Sequence, residues 1–444
     1  MNRYILFIII LMIVLPIMGG SPVNKTFPYE YTVKTLDNGL KVIMIPMQSN
    51  GIVAYYSVVR TGSRDEWEPG HTGFAHFFEH MMFRGTKGYP GRVYDSLITS
   101  MGANANAYTT DDYTCYHLSF AKEDLEQVMN LESDRFQNLF YEEREFQTES
   151  GAVYGEYRKS KTSPYFLLEE KMCETAFDKH TYKHTTMGFE KDIAAMPTMY
   201  AYSRSFFDRY YRPENVVLVI VGDFDKDNTF GLVKKYYGNW KKGYVIPQIE
   251  AEPEQKGERF ADVKYPGKTL PIIDIAYKGA AYNPNDVTSV AAILFGDLAF
   301  GSNSELSKKL YIKEQKVQFI EPSISLNRDP TLWSIYSMVK NEKDIDYIKS
   351  EIYNTIAKFQ STPVDEKALE KQKKNMKYSF LMELDAPDKV AGRLARIVAL
   401  TGGIDAVDNY FATVDKITPK DIQDAAKKYF VPEKRTVLTL TGSK

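Results

Sequence analysis

A chain of 444 residues is too long for one ordinary core and implies roughly two to four domains. Its apolar fraction of 43% and charged fraction of 26% fit a globular protein, and 56 basic against 58 acidic residues, net −2, argue against nucleic acid as a partner. Cys115 and Cys173 are the only cysteines, so a cysteine-built zinc site is excluded by number, while one disulfide or two buried thiols both remain open.

In chain order, Arg3 precedes an apolar run over residues 4–18, followed by Gly19, Gly20 and Ser21. That pattern predicts a secretory signal peptide over 1–21 and an exported, periplasmic or extracellular protein. The run is short for a membrane span, so no stable span is expected after cleavage; an uncleaved segment would act as an anchor. Strands are expected over 41–46 and 52–60. A helix over 73–83 is stopped by Gly85, Gly88 and Pro90. A second helix covers 94–101. Residues 103–120 are rich in Thr and Tyr and read as strand. Residues 122–139 read as a helix with Leu125, Val128, Leu131 and Phe136 near one face. A short buried strand follows over 216–221.

Pro247, Pro253, Gly257 and Pro266 lie among many charges and mark a linker over 246–265. It separates an N-terminal domain, 22–245, from a C-terminal domain, 266–444. The two halves carry traces of a repeat. The first ends on Tyr210-Tyr211-Arg212-Pro213-Glu214 and an apolar strand, the second on Tyr429-Phe430-Val431-Pro432-Glu433 and another. The registers differ by one residue after Pro-Glu. Each half also opens with a strand leading to a helix. Duplication of one α/β unit accounts for both features.

The chemistry is concentrated in His76-Phe77-Phe78-Glu79-His80. On a helix, His76 and His80 stand one turn apart on one face, and two imidazoles at that spacing can reach one zinc ion. Glu79 projects from the same side, while Phe74, Phe77, Phe78 and Met81 cover the other. Such a face can sit in a dry cleft where a metal polarises water strongly. A catalytic zinc needs a third protein ligand and an open position. His71, His117, His180 and His184 are poorly placed in the pattern, so a carboxylate is expected. Glu149 and Glu156, seven residues apart, share a helix face; Glu142, Glu143 and Glu145 compete, and spacing does not choose between them. Gly151 and Gly155 weaken the helix there.

The order His-x-x-Glu-His is the inverted zinc motif. The run Gly73-Phe74-Ala75-His76-Phe77-Phe78-Glu79-His80-Met81-Met82-Phe83 resembles the pitrilysin/insulinase peptidases, the clan of the mitochondrial processing peptidase, and is most similar to their short bacterial members. Residues 102–109, 149–156 and 211–223 resemble further landmarks of that family, and the resemblance extends over nearly all of the chain after the signal. It implies an α+β fold: a duplicated α/β unit of two homologous domains, each a mostly antiparallel sheet packed with helices, dimerising into a clamshell around a chamber. It implies one Zn2+ per chain held by His76, His80 and Glu156, with Glu79 as general base and Glu149 as an acid that orients a ligand or assists proton traffic. It implies hydrolysis of unfolded peptides, bound along Ala103, Asn104, Ala105, Asn106 and Ala107 by backbone pairing. A non-catalytic peptide-binding or assembly subunit is the alternative, but such members usually lose the zinc motif, which is whole here. In the family the second half usually supplies an Arg and a Tyr to the substrate carbonyl. The matching positions here are Tyr311 or Ile312, which offer no guanidinium, and Phe319, which has no hydroxyl to donate; Lys313 is the alternative donor. The resemblance therefore implies a heterodimer with a related chain that supplies the Arg and Tyr, with a homodimer as the alternative.

Overall fold

The computed structural model describes residues 25–443; the expected signal peptide over 1–21 lies outside the described residues. The expected duplication is explicit in the sheet topology. The first sheet is built from β1 (Thr32–Thr35), β2 (Lys41–Pro46), β3 (Ile52–Val59), β4 (Asn104–Thr109), β5 (Thr114–Ala121) and β6 (Val216–Gly222), in the order β1-β2-β6-β3-β5-β4. The second is built from β7 (Arg259–Tyr265), β8 (Ile272–Lys278), β9 (Val317–Ile324), β10 (Leu332–Val339) and β11 (Arg435–Gly442), in the order β7-β11-β8-β10-β9. Removing β1 leaves the same order twice, each with one parallel pair, β2 with β6 and β7 with β11, and antiparallel pairs elsewhere. The architecture is thus α+β, with two mostly antiparallel sheets.

The repeated Pro-Glu segments each form a single 3-10 turn, Pro213–Asn215 and Pro432–Lys434, feeding the strand at the centre of the parallel pair. β6 is buried from its first residue and β11 from its second, Thr436, which accounts for the offset of one residue between the repeats. Besides shifts of one to three residues at helix ends, two stretches differ from expectation. The strand-like stretch over 103–120 is a hairpin, β4 and β5, because the polar residues Thr110, Asp111 and Asp112 turn the chain. The end of the expected linker is β7, whose residues alternate between half-buried and exposed as an edge strand requires.

The halves are interlocked by an exchange of helices. Helix Pro164–Ala176, from the first half, packs on β7 and β11 of the second sheet. Helix Pro387–Thr401, from the second half, packs on β3 and β6 of the first. Both begin with Pro in the first turn, where its missing N–H costs nothing. Val390, Ala391, Leu394, Ala395, Val398 and Ala399 form an apolar stripe of period 3.6 that buries against Ile43, Ala54, Val58, Val217 and Val219. Leu168, Met172 and Ala176 do the same against Ile272, Ala276, Leu438 and Leu440. The alanines allow close approach of helix to sheet. The opposite face of each sheet is buried under its own half's helices. No helix of the described residues is long and apolar enough to cross a membrane. Cys115 and Cys173 are both free thiols.

Candidate metal centre

The helix Phe74–Met81 carries His76, Glu79 and His80, and its start is fixed by two features. Gly73 has φ +90°, and a Cβ there would meet the Met187 carbonyl oxygen at 2.8 Å, so only glycine suits this entry. The buried Glu66 carboxylate accepts the N–H groups of Gly73 (2.8 Å) and Ala75 (2.6 Å), which are among the donors a helix start leaves unpaired. Burial pushes the Glu66 carboxyl up to about 8, against the pull of those two bonds. Phe74, Phe77, Phe78 and Met81 are buried in the main core, which turns the three polar residues toward the cleft.

The opposing helix runs Glu143–Ser160 without interruption. Its start is capped by the Glu145 carboxylate, which accepts the Glu142 N–H at 2.8 Å. Burial of Phe146, Val153 and Tyr157 outweighs the low propensity of Gly151 and Gly155. The seven-residue spacing puts Glu149 and Glu156 on the same face, where they meet the two ring nitrogens of His80.

His80 Nδ1 lies 2.9 Å from Glu149 Oε1, and His80 Nε2 lies 3.4 Å from Glu156 Oε2. His76 Nε2 is 3.7 Å from the same Glu156 oxygen. An ionised carboxylate can only accept, so His80 donates through Nδ1–H to Glu149, and its Nε2 lone pair faces the cluster. His76, His80 and Glu156 each offer one atom within 4.8 Å of the others, the one such group among the described residues. Tetrahedral zinc with ligand bonds of about 2.0–2.1 Å holds its ligand atoms roughly 3.3 Å apart, so these separations fit a zinc ion with little rearrangement. Two imidazoles and one carboxylate also leave a fourth position open.

The two histidines differ in their electrostatics. Burial, with His80 alongside, pushes His76 down to about 4 and keeps it neutral, as a ligand must be. Its Nδ1 is buried without a protein partner. The Glu149 hydrogen bond holds His80 above its ordinary range. Burial alone would raise Glu149, but its bonds to His80 and to Arg84 Nη2 outweigh it and leave the carboxyl low. Glu79 is raised, chiefly by burial, although Thr109 Oγ1 donates to its Oε2 at 2.6 Å.

Thr109 ends β4, an outer strand of the first sheet paired on one side only, with β5. Asn104, Ala105, Asn106 and Ala107 lie in this strand and Ala103 just before it. Ala103 and Ala105 pack against the core beside the helix Phe74–Met81. All five expected site residues, His76, Glu79, His80, Glu149 and Glu156, therefore meet beside an open sheet edge. Glu66, Arg84 and the Thr109–Glu79 bond were not expected; nothing in the sequence distinguishes Glu66 from other loop carboxylates. Tyr311 and Ile312 are exposed, and Phe319 stacks on Tyr336 of β10.

Residues 42–190 match the family described as Insulinase (Peptidase family M16), and residues 200–376 match the Peptidase M16 inactive domain. The chain is 27% identical to the zinc protease PqqE of Helicobacter pylori over 437 residues, covering 96% of each. It is 24% identical to the mitochondrial-processing peptidase subunit beta of Saccharomyces cerevisiae, over 90% of this chain and 89% of that one. Among solved structures, a protease from Helicobacter pylori superposes with a TM-score of 0.87 at 26% identity, over 93% of this chain and 99% of that one.

Proposed function

The chain belongs to the M16 peptidase family, and on that footing we propose that it is a zinc-dependent endopeptidase that hydrolyses extended, unfolded peptides. The observation that carries this reading is the His80 imidazole set between Glu149 and Glu156, with His76 beside it and Glu79 tied to the end of an open strand. His76, His80 and Glu156 would hold one zinc ion, which when bound supplies Lewis-acid activation of water and of the scissile carbonyl. Glu79 accepts the proton of the attacking water and returns it to the leaving amine; burial, which raises its carboxyl, suits it to proton transfer nearer neutral pH. Glu149 orients His80 through Nδ1–H and fixes the tautomer that leaves Nε2 free.

The substrate strand adds to β4. Of the two equivalent outer strands, β9 carries Glu321 and Pro322, and proline and charge are devices that discourage pairing. β4 reads Asn-Ala-Asn-Ala-Tyr-Thr and carries neither. Backbone pairing there holds a peptide without demanding particular side chains and selects unfolded segments.

Export of the mature chain rests on the N-terminal pattern, and a solved structure of the same fold is the first half of the periplasmic protease PqqL from Escherichia coli. A related partner chain that supplies the Arg and Tyr missing at Tyr311 or Ile312 and at Phe319 would complete a clamshell chamber. Relatives named as subunits, such as the processing peptidase beta subunit, support an assembly of this kind. Chelator-sensitive digestion of an unstructured peptide by the purified chain, abolished by Glu79→Gln, tests the central reading.

A further inference from the structure

The turn between β4 and β5 and the equivalent turn between β9 and β10 meet tip to tip, and three consecutive residues of the second grip the first half. Asn327 Nδ2 donates to Asp111 Oδ2 at 3.1 Å. Arg328 donates from its backbone N–H to Asp112 Oδ2 (2.9 Å), and from Nη2 to Asp65 Oδ2 (2.9 Å) and to the Asp112 carbonyl. Asp329 Oδ2 accepts from Arg64 Nε and pairs with His180 Nε2 at 3.0 Å. The Asp65 side chain is fully buried, Asp112 nearly so, and Arg328 is 14% exposed.

These contacts fall on two loops that serve the candidate centre. Asp65 also accepts the Gly62 N–H at 2.9 Å and is followed by Glu66, which holds the start of the helix bearing His76, Glu79 and His80. Asp111 and Asp112 follow Thr109, the last residue of the open strand and the partner of Glu79. Arg328 thus bridges the loop that leads into the metal helix and the turn that ends the peptide-docking strand. A buried ion pair contributes little net stability, because desolvation offsets the attraction, but its geometry is specific. Both side-chain bonds leave from Nη2, whose two N–H groups the planar guanidinium holds in a fixed geometry; a lysine ammonium on its shorter, flexible stem offers no such fixed reach.

We infer that Arg328, from the half that matches an inactive domain, is a positioning residue that sets the docking strand against Glu79. The inference rests on reading the first half as hydrolytic. β4 keeps its pairing with β5 without Arg328, so docking survives its loss. The metal-binding residues stand on two helices that Arg328 does not touch, so zinc binding survives too. What changes is the distance between the peptide bond and the groups that act on it, and small misplacements of that kind cost roughly 10²-fold in rate.

The test compares wild type with Arg328→Lys, which replaces the guanidinium, and Asp112→Asn, which removes the charge of the carboxylate that accepts the Arg328 N–H and faces its Nε at 3.6 Å. An internally quenched unstructured peptide gives kcat and KM, zinc per chain is measured by metal analysis, and backbone hydrogen exchange is followed over 62–75 and 104–113. The expected result is a fall in kcat of about 10- to 100-fold, with KM within about twofold and zinc unchanged, and faster exchange in both segments but not in the helix Ile345–Ser361. Folded, zinc-loaded variants with wild-type kcat, activity that falls only in step with lost zinc, or unchanged exchange in the two segments would overturn it. Failure of zinc-loaded wild type, co-expressed with its partner where one is found, to hydrolyse the peptide refutes the functional reading, while the exchange data still decide whether Arg328 couples the two loops.

Discussion

His80 donates from Nδ1 to Glu149 at 2.9 Å, and Arg84 takes the other oxygen of the same carboxylate. Glu149 therefore acts on His80 from behind, on the side away from Glu156. A carboxylate in that place fixes ring orientation and ligand basicity, and its loss typically weakens metal binding about 10–100-fold. Glu149→Gln should retain zinc at saturating metal, show that weakening in competition with a chelator, and turn over slowly. Loss of all zinc from this variant at saturating metal would mean that Glu149 is itself a ligand.

Glu156→Gln and Glu79→Gln should separate cleanly. Glu156 contacts both histidines through one oxygen, so its amide should lose zinc and activity together. Glu79 is bonded to Thr109 and is not part of the ligand group, so its amide should keep zinc near one per chain. Removing a general base costs roughly 10²–10⁴-fold in rate. Metal analysis alongside a peptide assay distinguishes the two, and zinc loss from Glu79→Gln would contradict the assignment.

Stability should carry a pH signature away from the centre. Asp274, in β8, is buried with Oδ1 unpartnered, and burial pushes its carboxyl up to about 7 despite a Ser334 hydrogen bond. The folded state then binds a proton more tightly than the unfolded state. Its penalty is absent below the ordinary carboxylate range near 4, grows as pH rises, and is complete above about 7. Asp274→Asn should unfold at a temperature close to wild type at pH 4 and several degrees higher at pH 8, a gain of roughly 1 kcal/mol or more. Thermal unfolding across that range checks it; a gain confined to low pH would reverse the sign.

The proposed partner makes a separate prediction. Purified alone, the chain should show low specific activity, and a co-expressed related chain bearing the Arg and Tyr should raise it about 10-fold or more, as oxyanion donors do. Size in solution and activity of the pair are the measurements. Full activity from the lone chain, unchanged by any related chain, would refute the heterodimer.

The helix bearing His76, Glu79 and His80 was legible because its evidence is local: histidine spacing of one turn and an apolar remainder. The choice between Glu149 and Glu156 was not legible from spacing, because residues seven apart share a face; the distinction lies in which nitrogen of His80 each one meets. The duplication showed in the Pro-Glu segments, but the helix exchange did not. The stripe of Leu394 and Val398 reads the same whichever sheet it covers. Arg328 reads as an ordinary turn residue, and only the meeting of two distant turns shows its partners Asp65 and Asp112. Glu66 was missed for the same reason, since its role depends on where the chain folds back.

The proposed activity is cleavage of unfolded peptides with a zinc ion held by His76, His80 and Glu156. The most direct measurement is mass-spectrometric analysis of an unstructured peptide mixture after incubation with the purified chain, co-expressed with its partner where one is found. Samples are untreated, chelated, or chelated and resupplied with zinc, with Glu79→Gln as control. The expected result is internal cleavages that vanish on chelation, return with zinc, and are absent in the control. Cleavage that persists equally in the chelated and Glu79→Gln samples, or no cleavage by a zinc-loaded chain with its partner, would contradict it.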